Sequence, residues 1–144
     1  MPSCFCHTET LEVSVSAGVG IADITADLQG IVERAEMQTG SLNAACIGST
    51  GSLTTIEYEP GAVKDLQRAI RELAPPEREY EHEKAWQDGN GHSHVQAALL
   101  GPSLALPVRQ GRVYLGTWQQ VVVINHDLDA RRRKIEVTLL GISA

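Results

Sequence analysis

Apolar Leu11, Val13 and Val15 alternate with polar Glu12, Ser14 and Ser16, the two-residue period of a half-buried strand. Gly18 and Gly20 punctuate the chain, and the period then changes. Ile24, Leu28, Ile31, Val32 and Ala35 recur on one helical face, Asp23 or Thr25 is suited to cap that helix, and Gly40 is placed to end it. Leu42 to Ile47 reads as a short buried strand, and extended structure resumes from Ser52 to Tyr58 after the Gly48-Ser49-Thr50-Gly51 turn. A second helix opens at Pro60-Gly61, carries Val63, Leu66, Ala69, Ile70 and Leu73 as its stripe, and stops at Pro75-Pro76. Glu77 to Gly91 is polar and irregular, and His92 to Leu100 predicts a short helix. The remainder is β-rich: Leu104–Val108, Val113–Leu115, Trp118–Ile124 and Ile135–Leu140, with Asp127 to Arg132 as a charged turn. The run Val121-Val122-Val123-Ile124 predicts a strand buried on both faces. Strands adjacent in sequence, with two or three helices, give an α+β domain on an antiparallel or mixed sheet. The 144 residues suit one domain, spanning 1–144.

Composition narrows the function classes. Hydrophobic residues make up 42% of the chain, enough for a packed core and against disorder. The net charge of −6 disfavours nucleic acid and anionic membranes as partners. No apolar run approaches the roughly 20 residues that span a bilayer, and the first residues lack a secretory pattern. The expected location is therefore cytoplasmic. Three cysteines, Cys4, Cys6 and Cys46, suit reduced thiols better than a disulfide framework. A Cys4-Cys6-His7 metal cluster is the sharper reading and lacks a fourth ligand.

The densest chemistry lies at Tyr80, His82, Trp86, Asp88, Asn90, His92 and His94. Imidazole is the commonest neutral metal ligand, and three histidines with an open position make a catalytic metal site. His92 and His94 face one side only on extended backbone; on a helix they point about 200° apart. The glycines of the Gly48–Ser52 turn allow backbone N–H groups to approach an anion, with Ser49 and Thr50 as further donors, although an ordinary β-turn has the same composition. Arg131, Arg132 and Arg133 form a basic run suited to phosphate or to a solvated turn. Glu57 is a candidate general base on the strand before the second helix.

These residues, in this order, resemble the YjbQ family from about Leu11 to Gly141. The strongest stretch is Leu115-Gly116-Thr117-Trp118-Gln119-Gln120. It is supported by Asp23-Ile24-Thr25, by Tyr80-x-His82 with Asn90 and His94, by Leu100-Gly101-Pro102-Ser103 and by the arginine-rich segment before the last strand. The resemblance implies an α+β homotrimer with a histidine-lined metal pocket, and a link to thiamine phosphate synthase activity. Many members carry a histidine where Gly48 stands and an asparagine where Ile56 stands, so His92 is the expected replacement ligand beside His82 and His94.

The expectation is thus a metal-dependent enzyme, zinc the favoured ion, acting on a small phosphorylated metabolite by a thiamine-phosphate-synthase-like transfer. His82, His92 and His94 hold the metal, Glu57 orients a ligand or takes a proton, and Ser49, Thr50 and Arg131 to Arg133 hold phosphate. The alternative is a non-enzymatic trimer that binds a small ligand or metal.

Overall fold

A computed structural model describes residues 2–143. The first strand is longer than its apolar alternation predicts: β1 (Cys4–Val15) exposes Cys4, Cys6, Thr8, Thr10 and Glu12 and turns Phe5, His7, Glu9, Leu11 and Val13 inward. After β2 (Gly20–Asp23), Asp23 Oδ1 accepts from the Thr25 backbone N–H at 2.9 Å and from its hydroxyl at 2.6 Å, which sets the entry into α1 (Thr25–Ala35). The helix ends at Glu36, whose left-handed φ of 56° closes the last turn, and not at Gly40. Gly40 lies inside β3 (Met37–Ile47), where a Cβ would stand 2.2 Å from the Leu140 carbonyl oxygen; the glycine is there for a close strand approach.

The chain continues through β4 (Gly51–Ile56) into α2 (Pro60–Leu73), whose N-cap Glu59 accepts from the Gly61 and Ala62 N–H groups with Pro60 at the first helical turn. The polar loop after it contains a single helical turn, α3 (His82–Ala85). Then follow α4 (Gly91–Leu100), β5 (Ser103–Arg109), β6 (Arg112–Val113), β7 (Gln120–Asn125) and β8 (Arg131–Ser143). The basic run is therefore not a turn. Arg131, Arg132 and Arg133 pair with Val15, Ser14 and Val13 as the opening residues of a strand, because the chain has already reversed direction between Asn125 and Arg131.

All strand pairs are antiparallel, in a five-stranded sheet of order β1-β8-β3-β5-β6 and a three-stranded sheet of order β2-β7-β4. Leu28, Ile31 and Val32 of α1 pack with Leu42, Ala44, Ile135, Val137 and Leu139 of the large sheet and with Leu53, Val121 and Val123 of the small one. The opposite face of β7, Val122 and Ile124, is covered by Val19 and Ile70, with Leu66 and Leu100 alongside. Val121 to Ile124 are each 0% exposed within one chain, so the two-sided burial read from the sequence holds. Its cover comes from α2 and the end of α4; the strand itself supplies no reason for a partner copy. The architecture is the expected α+β class. No described helix is long and apolar enough to cross a membrane.

Candidate functional site

The turn between β3 and β4 is built around an arginine. Gly48 adopts φ +138°, a conformation that side chains rarely tolerate. Behind the turn lies buried Arg133, whose Nη2 donates to Thr50 O at 2.8 Å, Thr50 Oγ1 at 2.7 Å and Asn125 Oδ1 at 2.5 Å. The Thr50 hydroxyl donates to Asp127 Oδ2 at 3.1 Å, and Arg131 donates to the same oxygen at 3.1 Å. Burial pushes the Asp127 carboxyl up, but the Leu128 N–H, the Thr50 hydroxyl and the Arg131 charge outweigh it and hold the group below its ordinary value. Burial also lowers Arg133, opposed by its neighbours Cys46 and Asp127. Arg133 Nε has no hydrogen-bond partner among the described residues.

This geometry divides the residues expected to hold phosphate. Ser49 is exposed and available, whereas Thr50 is buried with its hydroxyl committed to Asp127. Arg131 is tied to Asp127, and Arg132 sits on the other face of β8, where its Nε donates to Glu12 at 2.8 Å. Strand alternation thus prevents the three guanidinium groups from converging. Glu57 is exposed just past the far end of β4, separated from the turn by the strand's length of about 20 Å. Its neighbourhood is the Leu115–Gln120 stretch: Tyr58 N donates to Gln120 Oε1 at 3.3 Å, and Gln119 bridges Gly116 N and the Thr55 hydroxyl.

The histidines divide as well. His82, at the start of α3, has Nε2 3.2 Å from Asp88 Oδ1. Asn90, oriented so that its amide nitrogen does not face other donors, gives the same Asp88 oxygen a bond of 2.8 Å. The His82 and His94 ring centroids stand 4.5 Å apart with planes inclined at 60°. The same Asn90 amide also donates to His82 Nε2 at 3.1 Å, so Asp88 and Asn90 together hold the His82 ring in place, the kind of support that positions a metal-binding imidazole. His92 does not join them. The α4 helix begins at Gly91, held by a 2.8 Å bond from the Gly91 N–H to Glu83 Oε1, so the extended backbone that His92 would need is absent. Its ring is buried beside Tyr80, with centroids 6.2 Å apart and Nδ1 unpartnered, and burial holds its pKa below the ordinary histidine value. Among the described residues, no three His, Cys, Asp or Glu side chains stand in a metal-binding group. The three-histidine arrangement is therefore not assembled in one chain.

A cavity of about 330 Å³ lined by Gly48, Ser49, Gly51, His94, Ala97, Ala98 and Pro102 does unite two parts of the expected site, the glycine turn and His94. Gly48, the position where a family histidine is expected, and His94 thus line the same cavity. Directly behind its wall is a network that the sequence reading missed. The Ser52 hydroxyl donates to His126 Nε2 at 2.8 Å, His126 Nδ1 donates to Gln96 Oε1 at 2.9 Å, and Gln96 Nε2 donates to the Ala74 carbonyl at 2.9 Å. The amide's own donation to Ala74 fixes its oxygen toward the imidazole and hence the tautomer. The order resembles a hydrolase relay, but Ser52 is 0% exposed and no substrate reaches it. Asn125-His126-Asp127, polar residues closing the most apolar run in the chain, were the available signal.

The family model for UPF0047 protein YjbQ-like matches residues 9–142. The chain belongs to the UPF0047/YjbQ-like family. Relatives include a UPF0047 protein of Methanothermobacter thermautotrophicus, 32% identical over 94% of this chain and 92% of the relative. The UPF0047 protein YjbQ of Salmonella typhimurium is 37% identical over 83% of this chain and 84% of its own. A crystal structure of a YbjQ-like protein of unknown function from Sulfolobus solfataricus P2 superposes with TM-score 0.91 at 29% identity, covering 96% of this chain and 99% of that one. A hypothetical protein from Aeropyrum pernix K1 gives TM-score 0.88 at 27% identity, over 94% and 98% of the two chains. The UPF0047 segment thus takes in both the Gly48–Gly51 turn and the His82–His94 pair, together with the Leu115–Gln120 stretch at the other end of the small sheet.

Proposed function

We propose that this UPF0047 protein is an enzyme that takes a small phosphorylated metabolite into the cavity between the Gly48–Gly51 turn and His94. A divalent metal ion, zinc by ligand preference, assists it. The observation that carries the reading is the His82–His94 pair with His82 oriented by Asp88. His82 and His94 supply two of the nitrogen ligands that zinc accepts, and a neighbouring copy would have to supply a third, with a position left for water or a substrate oxygen. When bound, such an ion supplies neutralisation of developing phosphate charge. Ser49 offers a hydroxyl to the phosphate, and Arg133 behind the turn biases the cavity toward anions. A thiamine-phosphate-synthase-like transfer, in which a thiazole nitrogen attacks a pyrimidine-bearing carbon as pyrophosphate departs, needs that same neutralisation.

The test is metal content and ligand affinity in the purified protein. His82→Ala and His94→Ala should each lower zinc affinity by at least about tenfold, and Asp88→Asn by about 10- to 100-fold. His92→Ala should leave it unchanged. Zinc binding that survives both His82→Ala and His94→Ala overturns the metal assignment. The presence of only two imidazoles, with Gly48 at the third place, favours one second reading, a binder of small anions without turnover. Pyrophosphate binding by calorimetry without product formation in a substrate screen would select it.

The assembly proposed with this function is a homotrimer, supported by the family resemblance. Trp118 is 71% exposed and Tyr58 45%, apolar surface at the Glu57 end that a second copy would cover. Glu57 reaches the cavity beside the Gly48–Gly51 turn only in a neighbouring copy, because in its own chain that cavity lies at the other end of β4. Light scattering at micromolar concentration should return three times the chain mass; a monomer or dimer mass removes both the trimer and the Glu57 role.

A further inference from the structure

We infer that Cys4 and Cys6 form a two-thiolate site for one soft monovalent d10 cation, of the copper(I) class, on the outer face of the edge strand β1. The inference is independent of the function proposed above. The two cysteines are both exposed, and the inward residues between and after them, Phe5 and His7, are half-buried on the opposite face. The pleat therefore presents the two thiols side by side. His7 is excluded from the site: its Nε2 faces Glu9 at 3.3 Å on the inner side. Of the Cys4-Cys6-His7 cluster, the reading set below reduced thiols in the sequence, only the two sulfurs share a face.

Strand geometry decides what two such thiols can do. Residues two apart on one strand lie about 6.6 Å apart along its axis. A disulfide requires Cβ atoms within about 3.5–4.5 Å. The extended backbone, held by the pairing of Cys4 with Ile142 and Cys6 with Leu140, thus keeps the pair from closing on itself. A bridging ion removes that obstacle. With the zinc–thiolate length of about 2.3 Å as a guide, two sulfur–metal bonds in line would span about 4.6 Å, a separation that χ1 rotation of the two side chains would allow without moving the strand.

The surroundings choose the ion. Cys4 and Cys6 face the exposed side chains of Ile142 and Leu140 across the sheet, and Thr8 follows on the same face. No described carboxylate or imidazole joins them in a group of three or more ligands. Zinc wants four ligands and is poorly served. A soft ion satisfied by two thiolates in linear array is well served, and thiolate is the ligand type that selects copper(I). Binding is an acid–base substitution: each thiol loses its proton to solvent as its sulfur–metal bond forms, and the metal keeps its oxidation state. Cys46 does not compete, because it is buried beneath Gly51 beside Arg133.

The test uses the full-length reduced protein, titrated anaerobically with copper(I) in the presence of a chromophoric copper(I) chelator. One equivalent per chain should be withdrawn from the chelator, with new sulfur-to-copper charge-transfer absorption in the near ultraviolet. Cys4→Ser and Cys6→Ser should each weaken competition by at least a hundredfold, while Cys46→Ser and His94→Ala leave it intact. Thermal unfolding of the two surface variants should match the parent, which excludes a folding defect as the cause. Binding that persists in either single variant, one ion per two chains, or loss only in Cys46→Ser overturns the site.

Discussion

Arg133→Met is expected to lower the unfolding free energy by about 3 kcal/mol, whereas Arg132→Ala should change it by less than about 1 kcal/mol. The two arginines are sequence neighbours on β8, and pleat alternation gives them opposite fates. Arg132 meets Glu12 on the open face of the sheet, where water screens both charges. Arg133 is turned inward behind the β3–β4 turn and holds Thr50 through its carbonyl and hydroxyl, and Asn125 through its amide oxygen. Removing it leaves the buried Thr50 carbonyl and the Asn125 amide oxygen short of a donor, while Asp127 keeps Arg131. Urea unfolding followed by circular dichroism at neutral pH compares the variants directly. The consequence for function is specific. The Gly48–Gly51 turn should loosen in Arg133→Met and pyrophosphate affinity should fall, while zinc binding at His82 and His94, carried by other elements, should persist. Equal, small effects from both arginines would show that the buried network does not set the turn.

The sequence made the layers legible because burial period is a local property. The alternation at Leu11 to Val15, the helical recurrence from Ile24 to Ala35 and the unbroken run at Val121 to Ile124 each identified an element and its buried side. Positions set by contacts remote in sequence were not legible. Gly40 resembles a helix terminator locally, yet the reason for a glycine there is a backbone 101 positions away, at Gly141. By sequence, His92 and His94 stand at the start of a helix opening at His92, and they share one site only if His92 lies before it; the helix opens one residue earlier, at Gly91. Their separation follows from where α4 starts, which is decided by the Glu83 carboxylate at the Gly91 N–H, a tertiary bond. The arginine run has the composition of a turn, and only the earlier chain reversal at His126 to Ala130 places it in a strand. Of the candidate site, the pair His82–His94 and the exposed Ser49 were recoverable from residue type. Ser52 and Gln96 were not, since only His126, closing the apolar run of β7, carried a local signal, and the relay exists only where β4, α4 and the end of β7 meet.

That relay should make the protein lose stability on mild acidification. Burial, helped by the positive field of Arg133 and by His92, pushes the His126 pKa down to about 4 from an ordinary 6.5. In the unfolded chain the imidazole takes up its proton as pH falls through about 6.5; in the folded protein it resists until about pH 4. A group whose folded pKa is depressed stabilises the fold fully above the unfolded value and progressively less below it. The loss attributable to His126 therefore runs from about pH 6.5 down to pH 4, levels off below that, and amounts to about 3 kcal/mol. His92, lowered by its own burial, adds to the loss in the same direction. Asp127 has its pKa held below the ordinary carboxylate value, so its contribution disappears only at lower pH, outside this window. Urea midpoints measured between pH 8 and pH 4 separate these contributions. The parent should show a steep fall across the window. His126→Asn should be less stable at pH 8, because Ser52 and Gln96 lose their shared partner, and yet should fall more gently toward pH 4, because the group that titrates differently in the two states is gone. A variant curve parallel to the parent's would place the acid sensitivity elsewhere and reduce His126 to a packing residue.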